Sequence, residues 1–310
     1  MLPVVAVDLG GTNIRAALFP SDQPKPAHSQ RVLTRAEQGP EAVVRRVIET
    51  IEALHPGSGE GLRMGIAAPG PLDPAQGVVF GAPNLPGWDR VPLRDLLASH
   101  FGCEVVLGND CNLAALAEWR HGAGQDVRHL VYLAIGTGIG GGAIVDGRLL
   151  LGAHGLAAEF GHMLVDPSAP LCGCGQPGHL ESLASGPAIG RRYAELRAER
   201  SPAGNPAAGY SASGVGEAAA EGDPLALRVI EDAGTIIGKH LASLVHAFDP
   251  ERIVLGGGVS QLGAMILEPI RRAFASALMH PAYRDQVTIA AAALGDDAGL
   301  IGAMLLARES

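Results

Sequence analysis

The chain has 310 residues, 47% of them apolar and 18% charged, which is length enough for two domains and the wrong composition for a disordered protein. A net charge of −9 argues against a nucleic-acid binder held by phosphate contacts, and the apolar runs break at Gly or charge well before the ~20 residues of a membrane span. The start of the chain lacks the basic residues and long apolar stretch of a signal peptide, and its four cysteines form no disulfide framework, so a cytoplasmic protein is expected, with no membrane partner.

The first element is a β-rich run over 2–9, which ends at Gly10-Gly11-Thr12-Asn13 and resumes over 14–19 as a second strand. Residues 41–54 carry Val43, Val44, Val47, Ile48, Ile51 and Leu54 at helical spacing. A strand over 62–68, a Pro/Gly-rich loop through Trp88 and a helix over 92–100 follow. A short strand over 105–107 ends at Gly108-Asn109-Asp110, and a helix over 113–119 comes next. The pattern then restarts with a strand over 130–135, a Gly-rich turn over 136–142 and a strand over 143–145, which suggests two related halves. Residues 200–222 read as a loop or loose helical tip. Asp223-Pro224 opens a long helix to about Phe248, because Asp suits an N-cap and Pro the first helical turn. A strand over 253–255 runs into Gly256-Gly257-Gly258, and helices over about 261–278 and 297–307 close an α/β chain.

Three Gly-rich turns, each directly after an apolar strand, let backbone N–H groups approach phosphate without side-chain obstruction. None carries the Gly-Lys-Ser/Thr of a Walker A loop, and none opens a helix as a dinucleotide fingerprint does. The combination resembles the sugar kinase, actin and heat-shock chaperone superfamily. That resemblance implies a two-lobed, ribonuclease H-like fold with a cleft between duplicated halves. It also implies nucleotide contacts from Gly10, Gly11, Thr12, Asn13, Gly136, Thr137, Gly138, Gly256, Gly257 and Gly258, with Asp8 facing Mg²⁺. The expected domains are 1–112, completed by the helix at about 297–310, and 113–296.

Asn109-Asp110, between a strand and a helix, is by itself an ordinary N-cap pair. Within the three-turn framework Asp110 suits the base that orients an attacking hydroxyl and takes its proton in phosphoryl transfer. His162, Cys172, Cys174 and His179 hold ligands enough to close a tetrahedral zinc site, structural because no position stays open.

Here the resemblance narrows. Glu159-Phe160-Gly161-His162 and the run Cys172, Cys174, Gly175, Gly178, His179, Glu181 resemble the ROK family of repressors, open reading frames and kinases, and within it the bacterial glucokinases. The departure is His179, where the family usually has a third Cys. Carried over by position, the family implies hexose contacts from Asn84, Asn109, Asp110, Glu159, His162 and Glu181, with His162 serving zinc and sugar at once. It implies ATP as donor with Mg²⁺, a structural Zn²⁺, and a homodimer or homotetramer. Glucose leads as substrate. Fructose, N-acetylglucosamine, N-acetylmannosamine and allose remain open, as does polyphosphate as donor. The family's repressors carry a helix-turn-helix before the first Gly turn, and seven residues before Asp8 leave no room for one.

Overall fold

The computed structural model describes residues 2–20, 23–55, 61–200 and 209–310. Strands β1 (Val4–Leu9) and β2 (Asn13–Phe19) form a hairpin around the first glycine turn, and β3 (His28–Leu33) pairs with the outer edge of β2. Helix α1 (Pro40–Leu54) begins with Pro at its first position and buries Val43, Val44, Val47 and Ile51. Strand β4 (Arg63–Ala68), the small hairpin β5 (Leu72–Asp73) and β6 (Val78–Val79), helix α2 (Leu93–Phe101), strand β7 (Glu104–Asn109) and helix α3 (Asp110–His121) follow. Then come β8 (Leu130–Ile135), β9 (Ile139–Val145) and β10 (Arg148–Leu149), and helices α4 (Leu180–Ala184), α5 (Gly186–Arg200), α6 (Ala212–Ala220) and α7 (Pro224–Phe248). Strand β11 (Arg252–Gly256), helices α8 (Ala264–Ala277) and α9 (Pro281–Gln286), strand β12 (Thr288–Ala291) and helix α10 (Ala298–Glu309) complete the chain.

The chain divides into two compact units. Unit 1 comprises Met1–Gln125, Leu149–Ala158 and Ala293–Ser310, and unit 2 comprises Asp126–Arg148 and Glu159–Ala292. Unit 1 takes in all of α3, because α10 packs closely on it: a Cβ at Gly302 would stand 2.0 Å from the carbonyl oxygen of Leu113. The sheet orders are β3-β2-β1-β4-β7 and β10-β9-β8-β11-β12. Each has its hairpin strand in the middle, antiparallel to one neighbour and parallel to the other. The repeat seen in the sequence is therefore a repeat of topology. Val4 to Val7 and Leu130 to Leu133 are buried throughout, which is why both central strands read as unbroken apolar runs.

Helix α7 starts where its cap predicts, with the Asp223 carboxylate accepting from the N–H groups of Leu225 (2.8 Å) and Ala226 (3.4 Å). Other expectations need correction. The second glycine turn is shorter than 136–142. Strand β9 begins at Ile139, and Gly140 to Gly142 pair with Ala134 to Tyr132 inside the ladder. The helix expected over 261–278 is broken by Gly263 at φ +62, which separates a 3₁₀ turn (Gly258–Leu262) from α8. Within 200–222, α6 is a regular helix capped by Ser211, whose hydroxyl accepts from Gly214 N–H, while 201–208 lie outside the described residues. No helix among the described residues is long and apolar enough to cross a membrane.

Candidate active site

In unit 1, Asp8 lies near the end of β1, just before the first glycine turn. Gly10 N–H donates to Asn13 O (2.9 Å) and closes that turn. Thr34, fully buried, braces it twice: its N–H donates to Thr12 O (2.8 Å) and its hydroxyl to Gly10 O (2.6 Å). Gly11 passes so close to Asn84 that a Cβ there would stand 2.6 Å from Asn84 Cβ and 2.8 Å from its carbonyl oxygen. The Asp8 carboxyl sits against the first turn of α10, where a Cβ at Gly299 would lie 2.8–3.0 Å from its atoms. Burial above all, and then the charges of Asp110 and Asp296, push Asp8 up to about 7 against the opposing pull of Arg15. Arg15 itself donates to the Asp296 carbonyl and the Asp297 carboxylate.

Asp110 is the first residue of α3. Asn109 caps the helix, its Oδ1 accepting from the N–H groups of Cys111 and Asn112 at 3.0 Å each. Asp110 Oδ1 accepts from Cys111 N–H at 2.7 Å. The cap fixes the Asp110 carboxylate at the start of the helix. At the other end of α3, fully buried Glu118 accepts from the N–H groups of Ala123 (2.8 Å), Ala293 (3.1 Å) and Leu294 (2.8 Å). One carboxylate thus holds the main chain just before its first exit from unit 1 and at its last re-entry.

In unit 2, Gly136 N–H donates to Gly138 O (2.8 Å) and Gly186 N–H to Gly136 O (2.8 Å), which holds the second turn with the exposed Thr137 at its tip. Glu181 Oε2 accepts from Ile139 N–H at 2.9 Å, and a Cβ on Gly138 would approach that oxygen to 2.6 Å. The other carboxylate oxygen, Oε1, accepts from the Cys172 thiol at 3.2 Å. Glu181 therefore joins the glycine turn to the cysteine loop. The third turn follows β11 rather than joining a hairpin. Gly257 is at φ +81, and a Cβ there would strike the Ile135 main chain at 2.4–2.7 Å, while Gly256 faces the Tyr132 ring and Gly258 has open space.

The ligand atoms of His162, Cys172, Cys174 and His179 all lie within 4.8 Å of one another. His162 Nδ1 is 3.6 Å from Cys172 Sγ, and His179 Nδ1 is 3.2 Å from Cys174 Sγ. Ligand edges of a tetrahedral zinc site built on Zn–S and Zn–N bonds span roughly 3.3–3.8 Å, so the donor set fits that ion in kind, and its two His–Cys pairs stand near that spacing. The loop is folded by Cys172 N–H to Gln176 O (2.8 Å) and Gly175 N–H to Cys172 O (2.9 Å). Gly178, at φ +77, brings the chain against Asp166 O, where a Cβ would be 2.2 Å away. Glu159 precedes the 3₁₀ turn Phe160–His162, which is closed by His162 N–H donating to Glu159 O (3.0 Å). Partial desolvation raises the Glu159 carboxyl, opposed by His162 and reinforced by Glu181.

The structure thus brings Asp8, Gly10, Gly11, Thr12, Asn13, Asn84, Asn109 and Asp110 together in unit 1. In unit 2 it gathers Glu159, His162, Glu181, the second turn and the cysteine loop. Thr34 and Glu118 escape a reading of the sequence. Glu118 carries one weak signal, a charge set among Leu113, Ala114, Ala115, Leu116 and Ala117.

Comparison with known proteins supplies a frame for both sets. The profile of the ROK family matches residues 4–310. The glucokinase of Thermotoga maritima is 37% identical over 314 residues, covering 99% of this chain and 98% of that protein. The N-acetylmannosamine kinase of Citrobacter koseri is 33% identical, covering 99% of both. The crystal structure of a ROK family glucokinase from Streptomyces griseus in complex with glucose and AMPPNP is similar at a TM-score of 0.84 and 36% identity, covering 99% of this chain and 100% of that one.

Proposed function

This chain belongs to the ROK family, and from that premise we propose that it is an ATP-dependent hexose kinase that makes glucose 6-phosphate from glucose and ATP. The observation that carries the reading is Asp110, fixed at the start of α3 by the Asn109 cap and close enough to Asp8 for its charge to raise that carboxyl. Asp110 accepts the proton of the attacking sugar hydroxyl. The hydroxyl oxygen bonds to the γ-phosphorus, the bond to the bridging oxygen breaks, and ADP leaves. Little covalent chemistry is asked of the protein, so positioning and charge neutralisation supply most of the rate. Backbone N–H groups of the turns at Gly10 to Asn13, Gly136 to Gly138 and Gly256 to Gly258 hold the phosphates.

A magnesium ion fits the Asp8 end of this machinery. A desolvated carboxyl raised to about 7 is one that a divalent cation returns to its ionised form. When bound, the ion neutralises phosphate charge. Zinc fits His162, Cys172, Cys174 and His179, where it closes a loop rich in exposed residues. With Nδ1 turned to Cys172, His162 keeps Nε2 for a sugar hydroxyl. Cys172 as a thiolate ligand no longer donates to Glu181, which leaves Glu181 Oε1 for the hexose; Asn84, Asn109 and Glu159 are the other contacts proposed for it. The free thiols suit a cytoplasmic enzyme. Assembly as a homodimer or homotetramer belongs to the same proposal and is read by light scattering.

The test is a coupled ADP-release assay across a hexose panel that includes N-acetylmannosamine, each with ATP and with polyphosphate. Glucose with ATP is expected to give the highest kcat/KM. A higher value for another hexose or for polyphosphate would replace the substrate assignment, and no turnover with any hexose would overturn the reading.

A further inference from the structure

Helix α7 carries one histidine that the mechanism above does not use. His240 is 5% exposed and lies on the buried side of the helix with Ile237, Leu241 and Leu244. One of its ring nitrogens donates to the carbonyl oxygen of Phe160. The other, Nε2, is buried without a hydrogen-bond partner, so the donor is Nδ1–H and the ring is a neutral imidazole. Its pKa agrees, pushed down to about 4 by burial.

The acceptor is not an ordinary core carbonyl. Phe160 opens the 3₁₀ turn whose neighbours, Glu159 and His162, are the proposed hexose contacts. That turn is gripped from two sides. On one, Gly161 is pressed on the start of β9, where a Cβ would stand 1.8 Å from Ile139 O. On the other, α7 holds Phe160 at both ends of the residue: its ring packs edge-on against Phe248 at 5.5 Å between centroids, and its carbonyl meets His240. The β9 contact sets how close the turn can come. The Phe160 carbonyl oxygen accepts from Met163 N–H (3.3 Å) within the turn and from His240 on α7, so the His240 bond ties that peptide plane, and the turn that carries Glu159 and His162, to the helix.

We propose that His240 is a positioning residue for the hexose, acting through the Phe160 carbonyl on Glu159 and His162; this rests on the hexose-kinase reading given above. A histidine is suited to the task because its donor is carried on a rigid ring at a fixed reach from the helix, whereas a flexible donor leaves the plane free to turn. The lone Nε2 is the cost of that rigidity.

The experiment compares three variants by KM for glucose, KM for ATP and kcat. His240→Asn keeps an N–H at the place of Nδ1. His240→Gln carries its N–H one bond further out. His240→Leu has none. His240→Leu and His240→Gln are expected to raise the glucose KM about 10-fold or more while the ATP KM stays within about twofold. His240→Asn is expected to stay within about threefold of wild type for both. Because Asn and Gln are both polar and of similar stability cost, their contrast stands even where His240→Leu folds poorly. Equal effects of Asn and Gln, or glucose and ATP KM values that rise together, would overturn the assignment and leave His240 a packing residue. A wild-type enzyme that turns over no hexose would overturn the parent reading, and this one with it.

Discussion

The β1–β2 turn of unit 1 and the β8–β9 turn of unit 2 occupy the same place in two sheets of the same order, yet they are braced by different chemistry. In unit 1 the brace is a neutral hydroxyl, Thr34, which follows the edge strand of the same sheet. In unit 2 it is a carboxylate, Glu181, which also touches Cys172 of the proposed metal loop. A second contrast lies at the far parallel strand of each sheet. Strand β7 runs straight into Asp110, whereas β12 is followed by Ala292 and Ala293, which have no group to take a proton. A duplicated frame has kept its turns in both halves, placed the proposed base in one, and linked the turn of the other to the proposed metal loop.

That contrast predicts unequal damage. The largest effect belongs to the half that holds the base. Asp110→Asn keeps size and hydrogen bonding but is expected to lower kcat at least about 10²-fold, with glucose affinity by calorimetry largely kept. A near-normal kcat would end the assignment of the base to unit 1.

Next in size are the glycine turns themselves. A Cβ at Gly11 meets the main chain of Asn84, which cannot move aside cheaply, while a Cβ at Gly138 meets only the end of the Glu181 carboxylate. Gly11→Ala is expected to raise the ATP KM roughly 30-fold, and Gly138→Ala by less than about 5-fold. Equal losses would mean that the two turns do not differ in how firmly they are held.

The metal loop sharpens the comparison from the other side. His179→Ala should lose zinc, lower the melting temperature and raise the glucose KM about 10-fold, with a smaller effect on ATP. His179→Cys should keep both metal and activity, since either side chain completes a tetrahedral site. Elemental analysis and thermal melts read the outcome. Full zinc content in His179→Ala would remove that residue from the site.

The smallest effect is a dependence on pH in the ligand-free protein. Asp8 is raised in the folded state to about 7 from an ordinary 3.8, so the stability it contributes is present below about pH 4 and is lost as the pH rises through 7. Asp8→Asn removes that loss. In urea titrations its advantage over wild type should grow between pH 4 and 7 by about 1–2 kcal/mol, the shift being discounted for relaxation. A constant difference would mean that Asp8 is ionised throughout.

Much of this arrangement is legible in the sequence because it is local. The buried central strands β1 and β8 announce themselves as apolar runs, α7 by Asp223-Pro224, and the clustering of His162, Cys172, Cys174 and His179 by a short motif. What escapes depends on distant partners. Strand β3 reads His28-Ser29-Gln30-Arg31-Val32-Leu33, an exposed edge with no inner face to impose alternation. Helix α5 is masked by Gly186, Pro187 and Gly190, and Gly190 is there because a Cβ would stand 1.8 Å from Tyr210 O. Thr34 acts on a turn 24 residues away, and Glu118 on a main chain 176 residues away. Such pairings belong to the tertiary structure, and no spacing rule reports them.

The measurement that bears most directly on the account is phosphorus NMR of the wild-type protein with ATP, Mg²⁺ and glucose. The account predicts glucose 6-phosphate and ADP in equal amounts, with ADP release falling to background when glucose is left out. ADP released without a sugar phosphate, or at the same rate with and without hexose, would contradict it.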